Sequence, residues 1–254
     1  MTSTAEVVAA ACPSIGSIGG AFYFTDETIA VGKEHGLDGY RFYFLGRGGV
    51  LGDVQPAVVE SAFGYFHPAL VEKMWITGRE RTRLSPHDAG RLYLQCCHDF
   101  GRRHLAGVPG LDGFCAAASA VNASAGRAGL ALYAAVAAEP LPDDLPARAM
   151  QLAAVLREFR GSTHLLAVLA TDGIDPATAH GIRRPDYWTT FGYDEDTRPA
   201  GTDEQQDALA AADELTDRLV APAFDVLDQH GRAALLAGLE AMQQAMPGRS
   251  TARR

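Results

Sequence analysis

The chain has 254 residues, 47% of them hydrophobic and 21% charged, with a formal net charge of −9. That length can bury a large core as one domain or as two closely packed halves. The acidic balance argues against broad affinity for nucleic acid or anionic membrane. No uncharged apolar run reaches the length of a membrane span, and no basic-plus-apolar leader opens the chain. Cys12, Cys96, Cys97 and Cys115 show neither a CxxC spacing nor a disulfide framework, as reduced thiols would. A cytoplasmic globular protein is expected, with no membrane partner.

In chain order, residues 5–24 are apolar and small, with Pro13 fitting a first turn or a kink. Thr25-Asp26-Glu27 starts a short helix that ends at Gly36. Tyr40 to Leu45 is aromatic and favours strand, and Gly46-Arg47-Gly48-Gly49 reads as a turn before Val50-Leu51. A short β-hairpin is therefore predicted there. Pro56 and Pro68 each open a helix, through about Phe66 and Trp75, and 77–84 is a loop. Ser85-Pro86-His87-Asp88 caps a helix to about Leu105, and 112–138 forms another. Leu141 to Asp144 is a proline-bracketed linker, followed by helices at about 145–170, 203–228 and 230–246.

The two ends of the chain echo each other. Gly16-Ser17, Thr25-Asp26 and His35-Gly36-Leu37 are answered by Gly161-Ser162, Thr171-Asp172 and His180-Gly181-Ile182. In both, a long helix leads to a short one, an aromatic segment, and a helix of small residues. That order suits a winged helix-turn-helix. The expected fold is mainly α, with two pseudo-repeated winged-helix-like halves joined by a central helical pair, and with short β-hairpins. The boundaries fall at 1–76 for the N-terminal half, 77–140 for the central region, 141–247 for the C-terminal half and 248–254 for a disordered tail.

A family resemblance arises at these same places. Tyr43-Phe44-Leu45-Gly46-Arg47, Leu51-Gly52-Asp53-Val54 and Phe63-Gly64-Tyr65-Phe66-His67-Pro68 resemble the N-terminal half of an uncharacterised actinobacterial family. Its members are described as helix-turn-helix proteins similar to MarR-type regulators. Leu156 to His164, then Thr216-Asp217-Arg218-Leu219 and Ala221-Pro222, fit its C-terminal half. The resemblance implies a tandem winged-helix-like fold and carries no established activity. One departure is the shortened wing, Arg198-Pro199-Ala200-Gly201-Thr202.

That departure bears on function. Residues 172–204, the expected DNA face of the C-terminal half, hold three arginines against eight acids. A duplex reader must neutralise phosphates, so DNA is disfavoured there. The hairpin with Arg41 and Arg47 is the better DNA-contact candidate. Against this stands a pocket. Arg160 and His164 are four apart and share one side of a helix entering the core, with Gly161 between them. Arg160 and Arg47 would anchor an anionic group, and His164 would hydrogen-bond it or move a proton. Tyr23, Tyr43, Phe63, Tyr65 and Phe66 would supply aromatic lining. The bland alternative pairs Arg160 with an acid and His164 with a backbone carbonyl.

Other motifs are weaker. Cys96, Cys97, His98 and His104 point in different directions on a helix, so no metal is expected. His35 and His180 precede glycine and read as helix-end residues. No phosphate loop or dinucleotide fingerprint occurs, so no cofactor is expected. The reading is a small-molecule-binding protein whose cleft lies between two helix-turn-helix-like halves, with proton transfer on an anionic or aromatic metabolite as the chemistry open to it. The alternative is a MarR-like, ligand-responsive DNA-binding regulator. A homodimer stays an open option.

Overall fold

A computed structural model describes residues 2–247, so the tail assigned to 248–254 lies outside the described residues. Among them are twelve α-helices, three short 3-10 turns and no strand. The helices are α1 (Thr4–Gly19), α2 (Asp26–Glu34), α3 (Gly39–Gly49), α4 (Pro56–Ala62), α5 (Pro68–Arg81) and α6 (Pro86–His104). They continue as α7 (Leu111–Ser124), α8 (Ala131–Val136), α9 (Leu145–Leu169), α10 (Pro176–Arg183), α11 (Asp203–Phe224) and α12 (Gln229–Ala245). No helix among the described residues is long and apolar enough to cross a membrane.

Side-chain caps set most of the starts. Thr25 caps α2, Ser85 caps α6 and Asp144 caps α9, each accepting a backbone N–H three residues on. Thr202 and Gln205 form a reciprocal capping box at α11. Several boundaries differ from expectation: α4 stops at Ala62 rather than near Phe66, and α11 at Phe224 rather than near 228. α5 continues to Arg81, so the loop is shorter than 77–84. The helix expected over 112–138 is interrupted between Ser124 and Ala131, where Gly129 takes a positive φ of 75°.

The β-hairpin over Tyr40–Val54 is not there: this stretch is the helix α3 with a following turn. Asp38 caps it by accepting the Arg41 N–H at 2.9 Å. The aromatic residues favour strand locally, but here they are enclosed on all sides and no residue of α3 is exposed. Its glycines serve packing rather than a turn. A Cβ at Gly46 would run into the Tyr93 ring, at Gly49 into the Pro86 carbonyl, and at Gly48 against Val59 and Trp75. Each costs the helix roughly 1 kcal/mol against alanine, and close approach to α5 and α6 offsets it.

α9 is the central mast. It packs against α1, α6, α7, α8, α10 and α11, while α12 lies on α1 and α7. α11 runs antiparallel to α9, as the pairs Arg160–Asp217 and His164–Asp213 require. The aromatic segment ahead of the shortened wing is docked through Phe191 on the α4–α5 turn. The Phe191 ring stacks on Phe66 at 3.8 Å, and its carbonyl accepts the His67 N–H at 2.9 Å. The Tyr40 hydroxyl donates to the Thr190 carbonyl at 2.6 Å.

Candidate functional site

The polar stretch of α9 divides into two clusters, one closed and one open. In the open cluster, Arg160, Gly161 and His164 share a face of the helix with Arg157, which also bonds to the closed cluster, at the i, i+3, i+4, i+7 spacing. Gly161 is exposed, and a Cβ placed on it would meet no atom within 4 Å. Arg160 donates one N–H to Asp217 at 2.7 Å. His164 Nε2 meets Asp213 at 3.0 Å, and its Nδ1 meets the Tyr65 hydroxyl. Arg183 holds the other oxygen of Asp213.

In the neutral ring this bonding selects one histidine tautomer. A carboxylate can only accept, so Nε2 carries the proton and Nδ1 accepts from the Tyr65 O–H. Both ring nitrogens are thereby occupied, and the free lone pair at the end of the chain belongs to the Tyr65 oxygen. Burial raises the Tyr65 phenol above its ordinary value. Burial would also raise Asp213, but its bonds to His164 and Arg183 outweigh that and hold it low.

The closed cluster centres on Glu158, whose side chain is 5% exposed. Arg47 grips it with two bonds, Nε to Oε1 at 2.9 Å and Nη2 to Oε2 at 2.7 Å, and donates a third to the Tyr43 hydroxyl at 3.0 Å. Arg157 and the Tyr23 hydroxyl complete the shell, at 3.0 and 2.9 Å from Oε1. Burial pushes the Glu158 carboxyl up, yet Arg47, Arg157 and Tyr23 overcome it and hold the pKa at about 2. The Arg47 guanidinium lies 4.5 Å from the Phe63 ring centroid. Next to this cluster is a cavity of about 30 Å³ lined by Phe22, Tyr93, Leu132 and Val136 among others. It has room for water rather than a metabolite.

The residues singled out from the sequence are thus placed in two groups. His164 and Tyr65 touch each other; Tyr23, Tyr43, Phe63 and Arg47 meet around Glu158; Arg160 lies between. Tyr43 also neighbours Phe66, with ring centroids 5.9 Å apart, and Phe66 in turn holds Phe191. Arg157, Glu158, Asp213, Asp217 and Arg183 were not singled out. One signal was present: Asp213 and Asp217 are four apart, matching the spacing of Arg160 and His164.

Other candidates resolve as follows. His35 is the C-cap of α2 as expected, and His180 lies in the last turn of α10, whose C-cap is Arg184. His180 is buried, stacked on Phe191 at 3.6 Å, and its Nε2 has no hydrogen-bond partner among the described residues. Burial, and then the Arg184 charge, depress its pKa to about 4. The four cysteines are buried and free, and burial raises their thiols, Cys12 and Cys96 to about 11. No group of three metal-ligating side chains occurs among the described residues.

The architecture is that of a mainly helical protein whose short helices turn onto longer ones around a central mast, α4 onto α5 among them. The chain belongs to a helix-turn-helix family, whose model matches residues 8–252. No curated protein and no solved structure matches it.

Proposed function

We propose that the protein binds a small anionic organic molecule over Gly161. Arg157 and Arg160 would receive its negative group, and the Tyr65 oxygen, held by His164, would meet a hydroxyl or other proton on it. The observation that carries this reading is the open space at Gly161 on a face flanked by two arginines and a histidine. Charge supports it. Arg47, Arg157, Arg160 and Arg183 outnumber Glu158, Asp213 and Asp217 by one, inside a protein of net charge −9. In this reading the cleft lies between two winged-helix-like halves, with Tyr65 from one and His164 from the other. The proton-transfer step open to the site passes from ligand to Tyr65 and from Tyr65 to His164, with Asp213 stabilising the imidazolium. A thermal-shift screen of aromatic carboxylates and phenols, run on wild type, Arg160→Gln and His164→Ala, tests it. Compounds should raise the wild-type Tm and lose that effect in both variants; equal shifts in all three would remove the site.

The second reading is a DNA-binding regulator of MarR-like type, favoured by family membership. The unit open to it is α4–α5, because α3 is packed away and the exposed segment 185–197 carries four acids, Asp186, Asp194, Glu195 and Asp196, and no basic residue. The outer side of α5 and its exit carry exposed Lys73, Arg79, Arg81 and Arg83 beside Glu72 and Glu80. Fluorescence anisotropy with duplex DNA from around its own gene, across a salt series, decides it. A steep salt slope lost in Arg79→Ala/Arg83→Ala would establish phosphate contacts.

A further inference from the structure

We infer that Asp217 stands in for the ligand: its carboxylate occupies the seat on Arg160 that a carboxylate group of the bound molecule takes. This rests on the reading of the Gly161 face as a binding site and narrows its ligand to a carboxylate.

Three observations carry it. The Arg160–Asp217 contact is one-point, Nη1 to Oδ1 at 2.7 Å, and no other donor of that guanidinium bonds to a protein group among the described residues. An arginine offers five N–H donors in a planar fork that fits a carboxylate edge-on. Arg47, by contrast, uses three of its nitrogens on Glu158 and Tyr43 and has no such vacancy. Second, Asp217 is 43% exposed, so its carboxylate can swing into water without leaving a buried charge behind. Third, the next residue after Arg160 is the exposed Gly161, where a Cβ would meet no atom within 4 Å, so no side chain blocks that face of the helix. Asp217 places one carboxylate oxygen on Nη1, so a carboxylate is the group this seat is seen to accept.

The consequence is an inverted mutational effect: removing the acid should improve binding. Calorimetry with benzoate, benzamide and phenyl phosphate on wild type, Asp217→Asn and Arg160→Gln tests it. Asp217→Asn should bind benzoate about two- to fivefold more tightly, the range by which a half-exposed ion pair competes. Benzamide should be unaffected, and Arg160→Gln should lose benzoate binding. If Asp217→Asn binds benzoate no better while Arg160→Gln still abolishes binding, the stand-in role of Asp217 is wrong and the site survives. If Arg160→Gln binds benzoate as wild type does, or if no protein binds it, the site itself is wrong and this inference falls with it. A preference for phenyl phosphate over benzoate in Asp217→Asn would overturn the assignment of a carboxylate.

Discussion

Arg47 reaches the polar stretch of α9 from α3 and Arg160 belongs to that stretch, and the two are held in different ways. Arg47 is clamped by both oxygens of Glu158, roofed by Phe63 and hydrogen-bonded to Tyr43. Arg160, half a turn beyond Glu158, touches a single oxygen of a partly exposed acid. A buried charge without its partner is costly, so Glu158 with its satisfied shell is fixed by folding. The Arg160 pair costs little to open. The difference separates a structural cluster from one free to exchange partners, although the local sequence, Arg157-Glu158-Phe159-Arg160, looks alike at both.

Removing Glu158 is the most direct way to break the comparison. Glu158→Ala leaves Arg47 and Arg157 beside each other without their common counter-charge, and should cost about 3–5 kcal/mol. Urea unfolding of the variant checks this; a loss below about 1 kcal/mol would mean that the closed cluster does not hold the helices together.

How far the sequence exposed this division follows from the range of each interaction. Helix starts were legible, because caps such as Ser85, Asp144 and Thr202 act within three residues. The identity of α3 was not. Tyr40–Leu45 favours strand on its own, and the bodies that require Gly46, Gly48 and Gly49 are Tyr93, Val59, Trp75 and Pro86, on three other helices. Arg160 and His164 were legible as polar residues entering a core, and Gly161 as the gap between them. Their partners on α11 and in the α4–α5 turn are 49 to 99 residues away, beyond any local pattern.

Acid should open the molecule in two stages, which sharpens the contrast between buried groups. His180 has a folded pKa of about 4 against an ordinary 6.5. The unfolded chain therefore binds its proton first, and the stability His180 provides is complete above pH 6.5 and lost as pH falls towards 4. Glu158, at about 2 against 4.5, contributes stability above pH 4.5 that is lost as pH falls towards 2. Each is at most about 3 kcal/mol. Between pH 6.5 and 4.5 the fall is shared by His180 with His98 and His104, whose pKa values burial also lowers, so His180→Phe, which keeps the stack on Phe191, should make the unfolding free energy less steep across that window. An unchanged slope would place the titration elsewhere.

The smallest expected effect bears most on function. Glycines at helix crossings have a packing reason: a Cβ at Gly19 would lie 2.5 Å from the Ala153 carbonyl oxygen, and one at Gly101 the same distance from that of Pro146. Alanine at either should destabilise. Gly161 meets nothing, so packing gives no account of it, and it weakens the longest helix of the fold. Gly161→Ala should therefore raise stability, by about 0.5–1 kcal/mol, read as a higher urea midpoint at unchanged m-value. Gly161→Leu should fill the space and stay folded while losing the thermal shift given by carboxylates. A variant that folds better and binds worse is what a glycine kept clear for a ligand predicts. If Gly161→Ala is instead destabilised, the helix needs the glycine for its own sake and the space above it has no assigned use.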